Sequence, residues 1–169
     1  MSDGQITEQD FSSPKCLKEL TIVDEASKIN EQYDAVVKKI FDWADARQKL
    51  VPNKNRVDMA KMRLFASLLG NPQKQFKIIH VAGTNGKGST SIKVATCLEK
   101  LLGQRVGLFT SPHIVSFRER FIVNGKLPSK ADVVEAAHVV FEVLEQGTSL
   151  DISLCNWFEC ITMIGLLIF

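Results

Sequence analysis

The clearest motif in the chain reads His80-Val81-Ala82-Gly83-Thr84-Asn85-Gly86-Lys87-Gly88-Ser89-Thr90, and it follows an apolar run at residues 76–79. Its glycines let the backbone turn with positive φ and bring N–H groups close to an anion. The helix expected after them adds unpaired N–H groups and a partial positive charge at its N-terminus. The pattern therefore predicts a phosphate-binding loop between a buried strand and a helix.

Two side-chain types in this motif suit a nucleotide. Lys87 supplies a mobile cation for terminal phosphates, and the hydroxyl of Ser89 or Thr90 can donate an oxygen to Mg²⁺. The spacing departs from the usual phosphate loop, because Gly88 follows Lys87 and delays the hydroxyl by one residue. A tight strand-to-helix turn is the alternative, but a plain turn does not require this set of glycines, lysine and hydroxyls.

Composition limits the class of protein. The chain has 169 residues, 45% hydrophobic and 24% charged, which is ordinary for a globular domain. A net charge of +2 is too small to predict binding to nucleic acid or to an anionic membrane. Four cysteines without metal-ligand spacing fit a reducing intracellular setting.

The two ends of the chain carry separate predictions. Residues 1–28 are polar, lack the apolar core of a secretory signal, and are predicted to form a flexible N-terminal tail. Residues 160–169 are nearly all apolar but too few to cross a bilayer. Because no polar cap follows them, the chain is expected to be a fragment of a longer protein.

Apolar periodicity predicts helices at 31–48, 57–69, 88–102, 129–146 and 156–169, and buried strands at 76–82 and 106–109. Strand, glycine loop, helix and strand in succession predict a βαβ unit with parallel strands, and residues 121–128 predict a small hairpin. The expected fold class is α/β, an incomplete P-loop-containing domain with parallel strands flanked by helices. So small a sheet would leave one stripe of α-helical side chains facing solvent: Ile161, Ile164, Leu167 and Ile168.

With these elements placed, the chain resembles the folylpolyglutamate synthase and dihydrofolate synthase family, relatives of the Mur ligases. The resemblance rests on the motif at 80–89, on Phe-Thr-Ser-Pro-His at 109–113, on Arg-Glu-Arg-Phe-Ile-Val-Asn-Gly at 118–125, and on Asn-Trp-Phe-Glu at 156–159. It runs from about residue 31 to the end. It implies that residues 29–169 are the N-terminal part of an ATP-binding Mur-ligase-like domain, without the rest of that domain or the glutamate-binding C-terminal domain.

The resemblance implies an ATP-dependent ligase of one-carbon metabolism and folate biosynthesis. Such an enzyme adds L-glutamate to folate through an acyl phosphate, as a tetrahydrofolylpolyglutamate synthase. The alternatives are a dihydrofolate synthase acting on dihydropteroate, another Mur-type ligase, or a non-catalytic nucleotide- or folate-binding fragment. The expected protein is a cytoplasmic monomer that binds neither nucleic acid nor membrane, with the mitochondrion left open as a location.

The resemblance also implies residue roles. Lys87 is the catalytic residue and Ser111 the Mg²⁺ ligand. Contacts to ATP are expected from Gly83, Thr84, Asn85, Gly86, Lys87, Gly88 and Ser89. Contacts to the pterin or folate are expected from Asn156, Trp157, Phe158 and Glu159. Family members carry further magnesium ligands beyond the matched stretch, so the chain alone is expected to be inactive or nearly so.

Several of these residues also have a structural interpretation. Ser111 could simply begin a turn before Pro112, and the rings of Trp157 and Phe158 could belong to the core. His113 is either a loop-orienting hydrogen bonder or a ligand contact. The arginines at 118 and 120 flank Glu119, so the triplet is either an exposed salt-bridged edge or a site near an anionic substrate.

Overall fold

The computed structural model describes the backbone of residues 14–50, 59–146 and 155–169, and the side chains of residues 24–43, 59–146 and 155–169. Within these ranges the helices are α1 (Pro14–Leu50), α2 (Met59–Leu68), α3 (Lys87–Leu102), α4 (Lys130–Gln146) and α5 (Trp157–Ile168). The strands are β1 (Gly107–Phe109) and β2 (Phe121–Val123), and 3₁₀ turns lie at Pro72–Lys74 and Phe117–Arg120.

Local sequence signals place most of the helix ends where they were predicted. Gly103, with φ of 60°, ends α3, because a left-handed residue at this position satisfies the last carbonyl groups of the helix. At the start of α4, the Oγ of Ser129 accepts from the backbone N–H of Asp132 at 3.0 Å, and the Asp132 carboxylate accepts from the N–H of Ser129 at 2.8 Å. These reciprocal bonds form a capping box, which places the start of α4 where the helix was predicted to begin.

The first helix extends well beyond its prediction. α1 begins at Pro14, so residues 14–28 are helical where a flexible tail was expected over 1–28. Residues 1–13 lie outside the described part of the chain, as do residues 51–58, which include most of the stretch between the helices predicted at 31–48 and 57–69.

The core lies where α1, α4 and α5 pack together. Completely buried side chains come from each of these helices, including Ile40, Val133, Leu144 and Ile161. In α4 the buried positions recur every three or four residues, which turns one face of the helix inward. The rings of Phe65 from α2 and Phe121 from β2 complete this core.

The sheet differs from the predicted one. β1 forms as expected, but it pairs antiparallel with β2, so that Leu108 lies opposite Ile122. The predicted hairpin also forms, since the left-handed pair Asn124-Gly125 returns the chain for a bridge between Val123 and Lys126. The prediction of a βαβ unit with parallel strands is wrong for the residues that the structure describes.

The segment predicted as a buried strand at 76–82 has no strand structure, and Ile78 and Ile79 are 59% and 61% exposed. A parallel strand needs hydrogen-bonding neighbours and helices over both faces. Among the described residues this segment has no neighbouring strand, because β1 is paired with β2. It also lacks a covering helix, since α3 buries no side chain. The fold is therefore mixed and mostly helical with a two-stranded antiparallel sheet, not the predicted α/β arrangement of parallel strands.

The prediction of a solvent-facing stripe on α5 is also wrong. Ile161 and Ile164 are fully buried, and Leu167 and Ile168 are partly buried against the same core. The packing of α1 and α4 against α5, which the strand-based prediction did not include, covers this face. Among the described residues, no helix combines the length and apolar character that crossing a membrane requires.

Candidate functional site

The glycine loop at residues 83–88 leads into the N-terminus of α3. Gly83 and Gly86 have φ of 148° and 76°, which favours glycine at both positions. Gly86 is the N-cap of α3, and no side chain there caps the helix. The first backbone N–H groups of α3 therefore remain available to an anion, since a helix cannot satisfy them internally. A Cβ at Gly86 or Gly88 would meet nothing within 4 Å, so the loop is open on this side.

Lys87, the first residue of α3, folds back over the loop. Its Nζ donates to the carbonyl oxygen of Gly83 at 2.6 Å and to that of Thr84 at 3.0 Å. An ammonium group has three N–H donors, so one is left for another acceptor. The side chain is exposed, and the positive charge stands beside the open N-terminus of the helix. This arrangement can bind a phosphate group.

Ser111 lies in the exposed loop that follows β1. The side chain of Glu119 organises the next part of this loop by accepting from the backbone N–H groups of Ile114 at 2.8 Å, Val115 at 3.0 Å and Ser116 at 2.7 Å. The N–H of Ile114, followed by that of Ser116, lowers the pKa of the Glu119 carboxyl from its ordinary 4.5. The carboxylate is thus a fixed anchor for the loop.

The Arg-Glu-Arg triplet is not the exposed salt-bridged edge that was one of the two interpretations. No ion pair joins Glu119 to Arg118 or Arg120, all three of which are described. Arg120 is only 4% exposed, and its Nε–H donates to Nδ1 of His113 at 2.8 Å. His113 therefore accepts a hydrogen bond from the 3₁₀ turn at Phe117–Arg120. Burial, followed by the charge of Arg120, lowers the pKa of His113 from its ordinary 6.5.

Aromatic rings gather beside this pair. The ring of Trp157 lies 5.2 Å from the guanidinium carbon of Arg120 and is stacked with that of Phe41 at 6.5 Å, with 28° between the planes. Phe158 meets Trp157 edge-on at 5.9 Å and is 43% exposed. The rings of Trp157 and Phe158 are both at least partly accessible to a flat ligand.

Asn156 and Glu159 form the capping box of α5. The Asn156 side chain accepts from the N–H of Glu159 at 2.9 Å, and the Glu159 carboxylate accepts from the N–H of Asn156 at 2.7 Å. The same carboxylate pairs with Lys61 of α2 at 3.2 Å, and both side chains are largely buried. These contacts fix the start of α5 and hence the positions of Trp157 and Phe158.

The site residues fall into two groups. Residues 83–87 are joined by the Lys87 contacts, and the loop after β1 is joined to Trp157 through His113 and Arg120. No hydrogen bond or ion pair connects the two groups within the described ranges 59–146 and 155–169. A groove of about 530 Å³ between the hairpin, α4 and α5 contains none of the predicted site residues in its lining.

The sequence prediction missed two residues at this site. Phe41 comes from α1, and Lys61 comes from α2, so only the tertiary packing brings them to α5. An aromatic residue or a lysine on an amphipathic helix gives no local signal of such a contact. Among the described side chains, no group of three or more His, Cys, Asp or Glu residues is arranged to hold a metal ion.

No family model matches the chain. Dihydrofolate synthase/folylpolyglutamate synthase of Bacillus subtilis is 46% identical over 67 residues, which are 40% of this chain and 15% of that protein. Folylpolyglutamate synthase of Lacticaseibacillus casei is 43% identical over 99 residues, which are 57% of this chain and 23% of that protein.

Solved structures of folylpolyglutamate synthases also match most of this chain and a smaller part of their own length. Folylpolyglutamate synthase (FPGS) of Thermotoga maritima superposes with a TM-score of 0.69 at 30% identity, over 82% of this chain and 30% of its own. An FPGS–AMPPCP–folate complex superposes with a TM-score of 0.64 at 31% identity, over 80% of this chain and 31% of its own. The chain thus spans less than a third of the proteins that it matches.

Proposed function

From the chain's relationship to the folylpolyglutamate synthase and dihydrofolate synthase family, which covers part of its length, we propose that it supplies the ATP-binding part of a ligase that adds L-glutamate to folate. The matched stretch is 15% of the Bacillus subtilis relative and 30% of the Thermotoga maritima one, so the ligase activity is proposed for a protein of their length. On its own, the chain is expected to bind ATP but not to catalyse the addition of glutamate.

The observation that carries this proposal is the open glycine loop at the N-terminus of α3, with the Nζ of Lys87 held over it. Phosphoryl transfer depends mainly on neutralising charge and aligning the reacting oxygens. The backbone N–H groups of residues 86–89 would bind phosphate oxygens, and the ammonium of Lys87 would neutralise the charge of the terminal phosphates. Thr84, Asn85, Gly88 and Ser89 would border the same anion.

A carboxylate of the folate's glutamate tail would attack the γ-phosphorus of ATP, releasing ADP and forming an acyl phosphate. The amine of glutamate would then attack this acyl phosphate, forming the amide and releasing inorganic phosphate and a proton. The chain's own residues would orient the nucleotide for this step. The described side chains do not build a complete Mg²⁺ site, because Ser111 offers one hydroxyl and Mg²⁺ requires six ligands in an octahedron. Ser111 is therefore proposed only as one contributor.

The folate would bind beside α5. A pteridine would stack on the exposed ring of Phe158, beside the half-buried indole of Trp157, while Asn156 and Glu159 hold the helix start that carries these two residues. The FPGS–AMPPCP–folate complex, which is similar in structure to this chain, supports the proposal that both a nucleotide and a folate bind. The exposed loop segment 83–88 and the aromatic pair would serve the two substrates separately.

A dihydrofolate synthase that uses dihydropteroate is the second candidate. The Bacillus subtilis relative carries both names, and the stretch that it shares with this chain does not separate the two acceptors. Activity assays with dihydropteroate and with tetrahydrofolate distinguish them. A cytoplasmic monomer completes the proposal; the four cysteines, which lack the spacing of metal ligands, fit a reducing intracellular setting.

A chimera tests the ligase function. The matched stretch of this chain replaces its counterpart in the Lacticaseibacillus casei enzyme, and glutamate addition to tetrahydrofolate is measured with and without Lys87→Ala. The proposal predicts activity in the chimera and its loss in the Lys87→Ala variant. Equal activity in the two proteins would refute it. If the chimera does not fold, ATP binding is measured instead for the 169-residue chain and for its Lys87→Ala variant, and the two affinities are compared.

A further inference from the structure

Arg120 is the most deeply buried arginine of the described residues, with 4% of its surface exposed. Its Nε–H donates to Nδ1 of His113, and its guanidinium carbon lies 5.2 Å from the ring of Trp157 and 6.0 Å from that of Phe117. Together with Phe41, these side chains form what we call the arginine cluster: Phe41, His113, Phe117, Arg120 and Trp157.

The guanidinium has no carboxylate partner among the described residues. The nearest acid in sequence, Glu119, directs both oxygens to the backbone of residues 114–116. One terminal nitrogen of Arg120, Nη1, is buried without a hydrogen bond, and burial lowers the pKa of the group. A buried cation without a counter-charge is a poor source of stability, even when aromatic faces attract it.

The cluster joins segments that are far apart in the sequence. His113 belongs to the loop that carries Ser111, and Trp157 is the first residue of α5. Phe41 of α1 contacts both of them, at 6.4 Å from the His113 ring and 6.5 Å from the Trp157 ring. One guanidinium therefore connects the loop after β1 to the aromatic start of α5.

We infer that Arg120 is a positioning residue for the proposed pteridine subsite, which fixes the indole of Trp157 and the imidazole of His113 before the ligand arrives. This inference rests on the function proposed above. A planar guanidinium holds an indole by stacking and an imidazole by a directed N–H, and lysine can do neither in the same way. A ring fixed in advance binds a flat ligand more tightly, because less conformational entropy is lost on binding.

The test compares Arg120→Lys with the matched control Arg118→Lys in the 169-residue chain. Arg118 lies in the same 3₁₀ turn, but its Nη1 donates to the carbonyl oxygen of Pro128, and no contact with His113 or Trp157 is present. The ¹H–¹⁵N signals of the two indole groups give the structural measurement. Trp43, whose Nε1 donates to the carbonyl oxygen of Cys155 at 3.0 Å, is the internal reference.

In Arg120→Lys we expect the indole signal of Trp157 and the imidazole signals of His113 to shift while the Trp43 signal stays in place. Affinity for folate, measured by calorimetry, is expected to fall roughly tenfold, because an indole that is no longer fixed loses more conformational entropy on binding, while affinity for ATP is unchanged. Arg118→Lys should alter neither the signals nor the affinities. A purely structural role would instead change ATP affinity, folate affinity and thermal stability together.

Two results would overturn the inference: unchanged Trp157 and His113 signals in Arg120→Lys, or folate affinity equal to that of the unsubstituted chain. If the unsubstituted chain binds ATP but no folate, the folate part of the proposed function fails. The indole and imidazole signals then decide the positioning role by themselves.

Discussion

The Nε–H of Arg120 donates a 2.8 Å hydrogen bond to Nδ1 of His113. This bond requires an unprotonated Nδ1, so His113 is neutral in this arrangement and carries its proton on Nε2. The burial and the positive neighbour that lower its pKa act in the same direction as the hydrogen bond. The loop that carries Ser111 is thereby sensitive to acid.

The first prediction concerns His113: the folded chain should lose stability on mild acidification. Because its pKa is lower in the folded chain than the ordinary 6.5, the unfolded chain binds more protons just below pH 6.5. The stability that the neutral imidazole contributes is complete above pH 6.5 and is lost as the pH falls through the folded pKa. Thermal unfolding between pH 8 and pH 5 measures it.

The matched variant for this prediction is His113→Asn, whose amide oxygen can accept from Arg120 but does not titrate. Its melting temperature should depend less on pH in this range than that of the unsubstituted chain. His138→Asn, at an exposed position on α4, is the control and should keep the original pH dependence. Identical profiles for all three proteins would contradict the role given to His113.

Glu119 makes the second prediction. In Glu119→Gln, an amide N–H₂ replaces one of the oxygens that accept from the backbone at 114–116, so two donors face each other there. Hydrogen exchange at the amide of Ile114 should become faster, while exchange within α4 stays unchanged. Glu135→Gln, exposed on α4, provides the control.

The same substitution removes a second acid-sensitive group. Since the pKa of Glu119 is lower in the folded chain than its ordinary 4.5, its contribution is present above pH 4.5 and is lost as the pH falls below it. Glu119→Gln should therefore flatten the stability profile below pH 4.5. A profile that keeps its slope there would show that another carboxyl is responsible.

The pair of Lys61 and Glu159 provides the third prediction. Their atoms lie 3.2 Å apart with little exposure, so removing one charge leaves the other buried. We expect Lys61→Met to lower the free energy of unfolding by about 3 kcal/mol. The double variant with Glu159→Gln should lose less than the sum of the two single changes, as urea denaturation of all four proteins would measure. Strict additivity would argue against a direct pair.

The fourth prediction separates the observed fold from the parallel-strand arrangement. Ile164 is fully buried, so Ile164→Ala should cost about 2–5 kcal/mol of stability. Ile79 is 61% exposed, and Ile79→Ala should change stability by no more than about 0.5 kcal/mol. Were residues 76–82 a buried strand, the two substitutions would cost similar amounts.

Local signals account for what the sequence predicted well. Helix ends at Gly103, Ser129 and Asn156 follow from capping chemistry within a few residues, and the glycine loop is likewise a local motif. An apolar run such as 76–79 becomes a strand only if neighbouring strands pair with it, and the sequence of the run does not determine whether they do. For this reason the helices, β1 and the hairpin were predicted, whereas the antiparallel pairing of β1 with β2 was not.

The same difference applies to the candidate site. The residues of the glycine loop are adjacent in sequence, so their pattern could be recognised directly. The meeting of Phe41, Arg120 and Trp157 depends on how α1 and α5 pack. Nothing in the Arg-Glu-Arg triplet distinguishes the buried arginine at 120 from its neighbour at 118, since burial is decided by distant elements.

The central claim is that the loop around Lys87 binds the phosphates of ATP, and calorimetry of ATP with the 169-residue chain tests it most directly. We predict binding by the unsubstituted chain and an affinity roughly 10- to 100-fold lower for Lys87→Ala, the effect of one lost charge-assisted contact. Lys93→Ala, at an exposed position further along α3, should bind as tightly as the unsubstituted chain. Equal affinity in the Lys87→Ala and unsubstituted chains, or no binding by either, would contradict the claim.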